Sequence, residues 1–505
     1  MKTKILGLLL TLVVAVTSLP TETTAYAAES EATEVQQERS EESLGVTEAE
    51  VKASAVLLNS GVEKVECLTQ NVRERWYKFV VPNTVGYLTV HFAKQNIDED
   101  GDWTVQVFKE SNLSESYCEW DVNSKLTSEK RTYAPGTWYL RVKGGWGFPE
   151  NRDYSVSVSF TADDSYEKES NDIKETANVI SSGRAYHGRV GCEDLCDWYK
   201  YTATDRGYFT VNLAPGEQGE PGWGWTLFIY DAESNNLYDQ DGIKASTTSY
   251  KIPCKPGTYY VKIMAHYFFG PNKDYVLNLA FTKASGMETE PNNTYQQADT
   301  IKTGATYTGA FQCGEDQDWY RVKLASEGAV YLKFNRSSNT SPDKIKDGWR
   351  IELYKGASAT PIQTLETKDA ATLKLNLKKG TYYVRVASKS DAYWAPVGQE
   401  YSIKVNYTKA PKTVKLKSVT AGKRRATIKW NKSKDATGYY IYRSTKKNSG
   451  YKKIATIKKN KTVKYVDKKS LKSKRIYYYK VVAYKKTNGL TATSNMSKYK
   501  AVKIK

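Results

Sequence analysis

Three short markers recur in one order along the chain, and their spacing constrains the fold more than any other feature. Arg75-Trp76-Tyr77, Asp197-Trp198-Tyr199 and Asp318-Trp319-Tyr320 stand 122 and 121 residues apart. Each is followed by a second marker: Pro135-Gly136-Thr137-Trp138-Tyr139-Leu140-Arg141-Val142, Pro256-Gly257-Thr258-Tyr259-Tyr260-Val261-Lys262-Ile263 and Lys379-Gly380-Thr381-Tyr382-Tyr383-Val384-Arg385-Val386. A third closes each copy, at Asp153-Tyr154-Ser155-Val156, Asp274-Tyr275-Val276-Leu277 and Glu400-Tyr401-Ser402-Ile403. Solenoid repeats run roughly 20–50 residues, so a period this long is a whole domain duplicated in tandem.

The markers read as strands. Tyr139, Arg141 and Lys143 alternate with Leu140 and Val142 behind a Pro-Gly turn, which is the period of a half-buried strand. Each copy has several such stretches, as a β-sandwich requires. The 39 Tyr, 12 Trp and 12 Phe also favour pleated sheet. Trp103, Trp225 and Trp349 recur midway in the copies, ahead of alternating apolar residues, and read as core aromatics.

Outside the repeats the composition changes twice. Lys2 and Lys4, the apolar run Ile5–Val16 and the small residues Ala25 and Ala27 read as a secretory signal peptide over 1–27. Residues 28–45, rich in Glu, Ser and Thr, read as a disordered acidic linker. From 411 to 505 there are 30 Lys plus Arg against Asp435 and Asp467, a net of +28, while the rest of the chain is net −9. No later stretch is apolar enough for a membrane span, and no wall-sorting pattern follows the tail. The chain is therefore expected to be extracellular, with association to the cell wall through its tail.

Six cysteines in an exported chain suggest disulfides. Cys67 with Cys118, and Cys254 with Cys192 or Cys196, are the pairings considered. Cys192 and Cys196 lack a second Cys or His pair at zinc spacing, which argues against zinc.

Copies two and three resemble the bacterial pre-peptidase C-terminal domain. Glu290-Pro291-Asn292-Asn293, Gly309, Asp316, Asp318-Trp319-Tyr320 and Gly380-Thr381-Tyr382-Tyr383-Val384 carry the resemblance in copy three. Glu169-Ser170-Asn171-Asp172, Gly188, Asp197-Trp198-Tyr199 and Gly257-Thr258-Tyr259-Tyr260-Val261 carry it in copy two. Copy one is degenerate, with Thr47, Ala49 and Arg75 at the acid and amide positions. The tail resembles a fibronectin type III domain through Ala426-Thr427-Ile428-Lys429-Trp430, Gly438-Tyr439-Tyr440-Ile441-Tyr442-Arg443 and Tyr477-Tyr478-Tyr479-Lys480-Val481-Val482-Ala483-Tyr484. The implied fold is all-β: three jelly-roll-type sandwiches over 46–162, 165–283 and 286–408, then a basic Ig-like sandwich over 411–505.

The resemblance also implies calcium. In copy three Glu288, Glu290, Asn292, Asp316 and Asp318 would supply the hard oxygen ligands this ion takes. Copy two offers Glu167, Glu169, Asn171 and Asp197, with Leu195 in place of the acid matching Asp316 and Asp194 shifted by one, so a weaker site is expected; copy one should have none. Aromatic loops between the second and third markers, Trp146 with Phe148, Tyr267 with Phe268 and Phe269, and Tyr393 with Trp394, are candidate ligand contacts.

Catalytic patterns are missing from the sequence. His91, His187 and His266 stand in unmatched surroundings, and neither a Gly-x-Ser-x-Gly elbow nor a His-Glu-x-x-His helix is present. The expectation is a secreted, non-catalytic binding or adhesion protein that recognises an extracellular polymer (polysaccharide, protein or cell envelope), the alternative being an accessory or spacer chain of a secreted hydrolase. The lysines of the tail would attract an anionic wall polymer without reading nucleic-acid bases, and specific nucleic-acid binding is not expected.

Overall fold

The computed structural model describes residues 47–95, 103–145, 151–190, 196–216, 224–265, 273–312, 316–338, 347–389, 397–487 and 489–505. The chain divides into two units, Met1–Ser54 and Ala55–Lys505. In the first, a helix spans Glu48–Ser54. Thr47 and Glu50 close a reciprocal capping box at its start, with Glu50 Oε2 2.7 Å from the Thr47 amide and the Glu50 amide 3.3 Å from Thr47 Oγ1.

The second unit consists of sheets packed in pairs, each pair around its own apolar core. In copy two the front sheet runs Asn178–Val179, Cys196–Ala203, Gly257–Ala265, Trp225–Asp231, Asn236–Ile243. Its back sheet runs Ala185–Val190, Lys273–Lys283, Gly207–Pro215, Thr247–Thr248. Copies one and three repeat this order. Even the short parallel opening is kept, with Val56, Asn178 and Asp299 facing Tyr77, Tyr199 and Tyr320. Duplication is thus visible in register as well as in sequence.

Strand alternation explains the cores. In Cys196–Ala203, Asp197, Tyr199, Tyr201 and Ala203 point inward while Trp198 and Lys200 are half-buried on the outer face. Trp103, Trp225 and Trp349 are buried between the sheets, as expected of core aromatics. In the tail, Leu416–Gly422, Arg425–Trp430 and Lys464–Asp467 pack over a sheet built from Lys452–Ile457, Gly438–Ser444, Ile476–Thr487, Leu490–Thr493 and Lys500–Lys503. Its core holds Trp430, Tyr439 and Tyr479, and Asp467 is buried against Arg443 at 2.9 Å and the Tyr479 hydroxyl at 2.8 Å.

The suggested disulfides are not formed. Cys67 Sγ donates to the Leu68 carbonyl at 3.4 Å, while Cys118 Sγ lies 3.4 Å from the Tyr133 hydroxyl. Cys254 is a buried free thiol, and Cys196 Sγ donates to the Asp172 carbonyl at 3.3 Å. Each sulfur is absorbed by packing or a local hydrogen bond, a use of cysteine that spacing alone does not reveal. Cys192 and the segments 1–27 and 28–45 lie outside the described residues.

Because each sandwich has its own core, damage to one should stay local. Trp225→Ala is expected to cost copy two about 3–5 kcal/mol. Calorimetry should show one transition moving to lower temperature while the others hold their positions.

Candidate metal centres

The segment joining two sandwiches becomes the wall of a polar site in the next one. In copy three the Glu288 amide donates to the Thr308 carbonyl at 2.9 Å, which pins the segment beside Thr306–Ala310. Asp318 and Tyr320 enter from Gln317–Leu324, and Tyr401 from Glu400–Lys409. Oxygens of Glu288, Glu290 and Asp318 come within 4.8 Å of one another, and all three side chains are buried. Copy two assembles Glu167, Glu169 and Asp197 in the same way.

Tyrosines hold these carboxylates. Tyr320 donates to Glu288 Oε2 at 2.6 Å, Tyr401 donates to Asp318 Oδ2, and the two hydroxyls lie 2.7 Å apart. In copy two Tyr199 donates to Glu167 Oε2 at 2.9 Å, Tyr275 donates to Asp197 Oδ2 at 2.6 Å, and the hydroxyls lie 2.8 Å apart. Backbone amides complete the set, from Ala310 to Glu288 Oε1 at 2.6 Å and from Arg189 to Glu167 Oε1 at 2.7 Å. These tyrosines belong to the first and third markers, so a hydrogen-bonded pair underlies two of the three repeated motifs.

Asn292 and Asn171 are fully buried at the same sites. The Asn292 amide donates to Glu290 Oε2 at 2.9 Å, and its Oδ1 accepts from the Trp319 amide at 3.2 Å. Asp316 is buried beside the trio, its charge bearing on Glu288, Glu290 and Asp318 and its oxygens accepting from the amides of Gln312 at 2.6 Å and Gln317 at 2.8 Å. Asp194 and Leu195 lie outside the described residues, as do Trp146, Phe148, Tyr267, Phe268, Phe269, Tyr393 and Trp394.

The donor set fits a hard divalent cation. Calcium–oxygen distances of about 2.3–2.6 Å place ligand atoms on opposite sides of the ion about 5 Å apart, which the clustered oxygens match. Glu290 Oε1, Asp318 Oδ1 and Asn171 Oδ1 are buried without a hydrogen-bond donor. Burial raises the carboxyl of Glu288 to about 8 and that of Glu167 to about 7. Burial, followed by the charges of the neighbouring acids, pushes Glu290 and Asp318 well above the ordinary range. Carboxylates this crowded and dry need a positive charge among them to stay ionised.

A glycine makes room for this cluster. A Cβ on Gly309 would lie 2.5 Å from Glu288 Oε2 and from the hydroxyls of Tyr320 and Tyr401, and one on Gly188 would strike Tyr199 and Tyr275. Gly188 faces Tyr275 and Gly309 faces Tyr401, but at the matching register of copy one Glu66 faces Tyr154. Glu66 lies 3.6 Å from Arg75 Nε, and Arg75 stands where the other copies have Asp197 and Asp318. Copy one therefore carries its own cation, a substitution that reads as simple degeneracy in sequence.

The preceding sandwich reaches the site of copy two. Thr132 Oγ1 donates to Glu167 Oε1 at 3.1 Å, and Arg189 pairs with Glu129 at 2.8 Å. At the next junction Tyr250 donates to the Gln312 carbonyl, and Lys251 pairs with Glu400 at 2.7 Å.

A second repeated surface lies on the outer face of each front sheet. Trp76, Trp198 and Trp319 stand opposite Arg141, Lys262 and Arg385 across the ladder. Beside them Phe108, Tyr230 and Tyr354 stand opposite Tyr139, Tyr260 and Tyr383. The rings of Trp198 and Tyr230 stack at 5.6 Å, and those of Trp319 and Tyr354 lie 5.2 Å apart. Trp198, Trp319, Tyr230, Tyr260 and Tyr383 are half-buried, whereas Phe108, Tyr139 and Tyr354 are buried.

The raised carboxyls have a pH consequence. Between about pH 4.5 and 8 the metal-free folded chain binds more protons than the unfolded one, so its stability falls as pH rises through that window. Melting in chelator should therefore occur at lower temperature at pH 8 than at pH 5.5. Asp318→Asn should raise the chelator melting temperature at pH 8 by removing one of the crowded charges.

No protein-family model matches the chain. Over 236 residues, 44% of its length, it is 25% identical to a protein described as Collagenase ColT from Clostridium tetani (strain Massachusetts / E88), and the match spans 22% of that relative. An Fn3-like protein from Clostridium thermocellum is 25% identical at a TM-score of 0.15, covering 19% of this chain and 91% of that one. The pre-peptidase C-terminal domain of a collagenase from Bacillus anthracis is 17% identical at a TM-score of 0.18, covering 20% of this chain and 93% of that one. No helix among the described residues is long and apolar enough to cross a membrane. The chain resembles tandem bacterial pre-peptidase C-terminal domains followed by a fibronectin type III domain, an all-β series of sandwiches.

Proposed function

We propose that this chain is a non-catalytic, extracellular binding protein that grips an extended polymer, protein or polysaccharide, with its repeated sheet faces. The carrying observation is one group, a half-buried Trp opposite a cation beside an aromatic pair, at the same register in each copy, with the pair itself buried in copy one. In copy two Trp198, Tyr230 and Tyr260 all stay only half-buried, which core packing does not require. A polymer with a repeating unit meets several such faces in succession, and linked weak contacts then add as avidity.

In this reading calcium occupies the acid clusters of copies two and three, held by Glu288, Glu290, Asn292 and Asp318 and by Glu167, Glu169, Asn171 and Asp197. The ion neutralises the carboxylates and fixes the linking segments. Copy one needs no metal because Arg75 and Glu66 pair directly. The lysine-rich sandwich adds attraction to an acidic polymer of the cell envelope, screened as salt rises.

The similarity to a collagenase over 44% of the chain favours a second reading, an accessory chain to a secreted hydrolase. The two readings agree on the binding face and differ in whether a catalytic partner is needed. Cosedimentation with fibrillar collagen, isolated cell wall and a panel of insoluble polysaccharides tests both. Trp198→Ala combined with Trp319→Ala should weaken the productive interaction about tenfold, near 1.4 kcal/mol, while melting stays within a few degrees. Binding to none of these materials, or binding indifferent to both substitutions, would contradict the proposal.

A further inference from the structure

The tail carries a face unlike those of the repeats. On the outer side of its larger sheet Tyr442 stands directly opposite Lys480 on one neighbouring strand and Lys453 on the other. The Lys453 ammonium lies 4.7 Å from the centre of the Tyr440 ring, and that of Lys480 lies 4.4 Å from Tyr451. Tyr478, on the same face, packs edge-on to Tyr499 at 5.4 Å, with Lys447 5.9 Å from Tyr499. The five tyrosines are half-buried, while Lys447 and Lys453 are exposed.

The face has no acid. Of the two carboxylates between 411 and 505, Asp467 is fully buried against Arg443 and Tyr479, and Asp435 sits in the turn before Gly438–Ser444. A sheet face needing only solubility would mix charges of both signs. Here flat rings alternate with ammonium groups across strands about 4.8 Å apart, close to the rise of one pyranose unit in an extended glycan.

We infer that this face is a binding site for an acidic polysaccharide, with pyranose rings lying against Tyr442 and Tyr478 and ring carboxylates paired with Lys453 and Lys480. The inference rests on the reading that the basic sandwich meets an acidic polymer, and adds that rings as well as charge are recognised. Lysine alone would attract any polyanion; tyrosines in register with it favour one built from rings. Bases of single-stranded nucleic acid stack on rings too, which makes that polymer the necessary competitor.

The test uses the full chain and three soluble probes at about 0.15 M salt, where the screening length is about 8 Å: polygalacturonate (rings and carboxylates), polyglutamate (carboxylates without rings) and an oligothymidylate. Polygalacturonate should bind about tenfold more tightly than polyglutamate of equal charge. Tyr442→Ser with Tyr478→Ser should erase that preference and leave polyglutamate binding unchanged. Lys453→Gln with Lys480→Gln, which are surface changes with little risk to folding, should weaken polygalacturonate more than Lys432→Gln with Lys434→Gln, which remove the same charge elsewhere. Equal affinity for the two carboxylate polymers, or tighter binding of the oligothymidylate, would overturn the site while leaving a basic polyanion-binding domain. Binding of none would overturn the underlying reading as well.

Discussion

Buried negative charge at one end of a sandwich is the constraint on which much of this structure turns. In copies two and three Asp197 and Asp318 are removed from water by the same strand alternation that builds the apolar core, and the glutamates of the linking segments are buried beside them. Tyrosine hydroxyls and backbone amides satisfy part of their lone pairs, and glycine opens the space they fill. Hydrogen bonds do not cancel net charge, so the cluster is left with two routes: it takes up protons, or it holds a cation. Tyr320 and Tyr401, which share that end, belong to the first and third repeated markers, and this gives the motifs a physical reason to recur.

Copy one solves the same problem differently. Arg75 at the Asp position and Glu66 at the Gly position put an ion pair where the other copies put an acid cluster and empty space. Calcium dependence, in the proposed reading, is then confined to the two copies that pack against a sandwich before them. Thr132 touches Glu167 itself, and Tyr250 donates to the carbonyl of Gln312, whose amide donates to Asp316. In copy two site and junction therefore share Glu167, and in copy three Asp316 links them through Gln312.

Much of the architecture was legible because it is written in alternation and repetition. The Asp-Trp-Tyr marker already separates an inward Asp and Tyr from an outward Trp, and the acids of copies two and three do converge in space. Other features were not readable, for particular reasons. Glu66 is a single residue whose meaning depends on facing Tyr154 across a sheet. The Trp–cation pairs join strands about 65 residues apart, and no local pattern announces them. The cysteines looked like a disulfide set from compartment and number, yet Cys254 packs as an apolar side chain and Cys196 satisfies a carbonyl. The tail's lysines read as uniform basicity until register placed Lys453 and Lys480 on either side of Tyr442.

The most direct measurement of the central claim is calorimetric titration of the chelator-treated chain with calcium. Two ions per chain are expected, one for each acid trio, with Glu288→Gln removing one and Glu167→Gln the other, and Arg75→Asp in copy one creating no third while Glu66 fills its site. Absence of calcium uptake, or uptake that survives both substitutions together, would contradict the account.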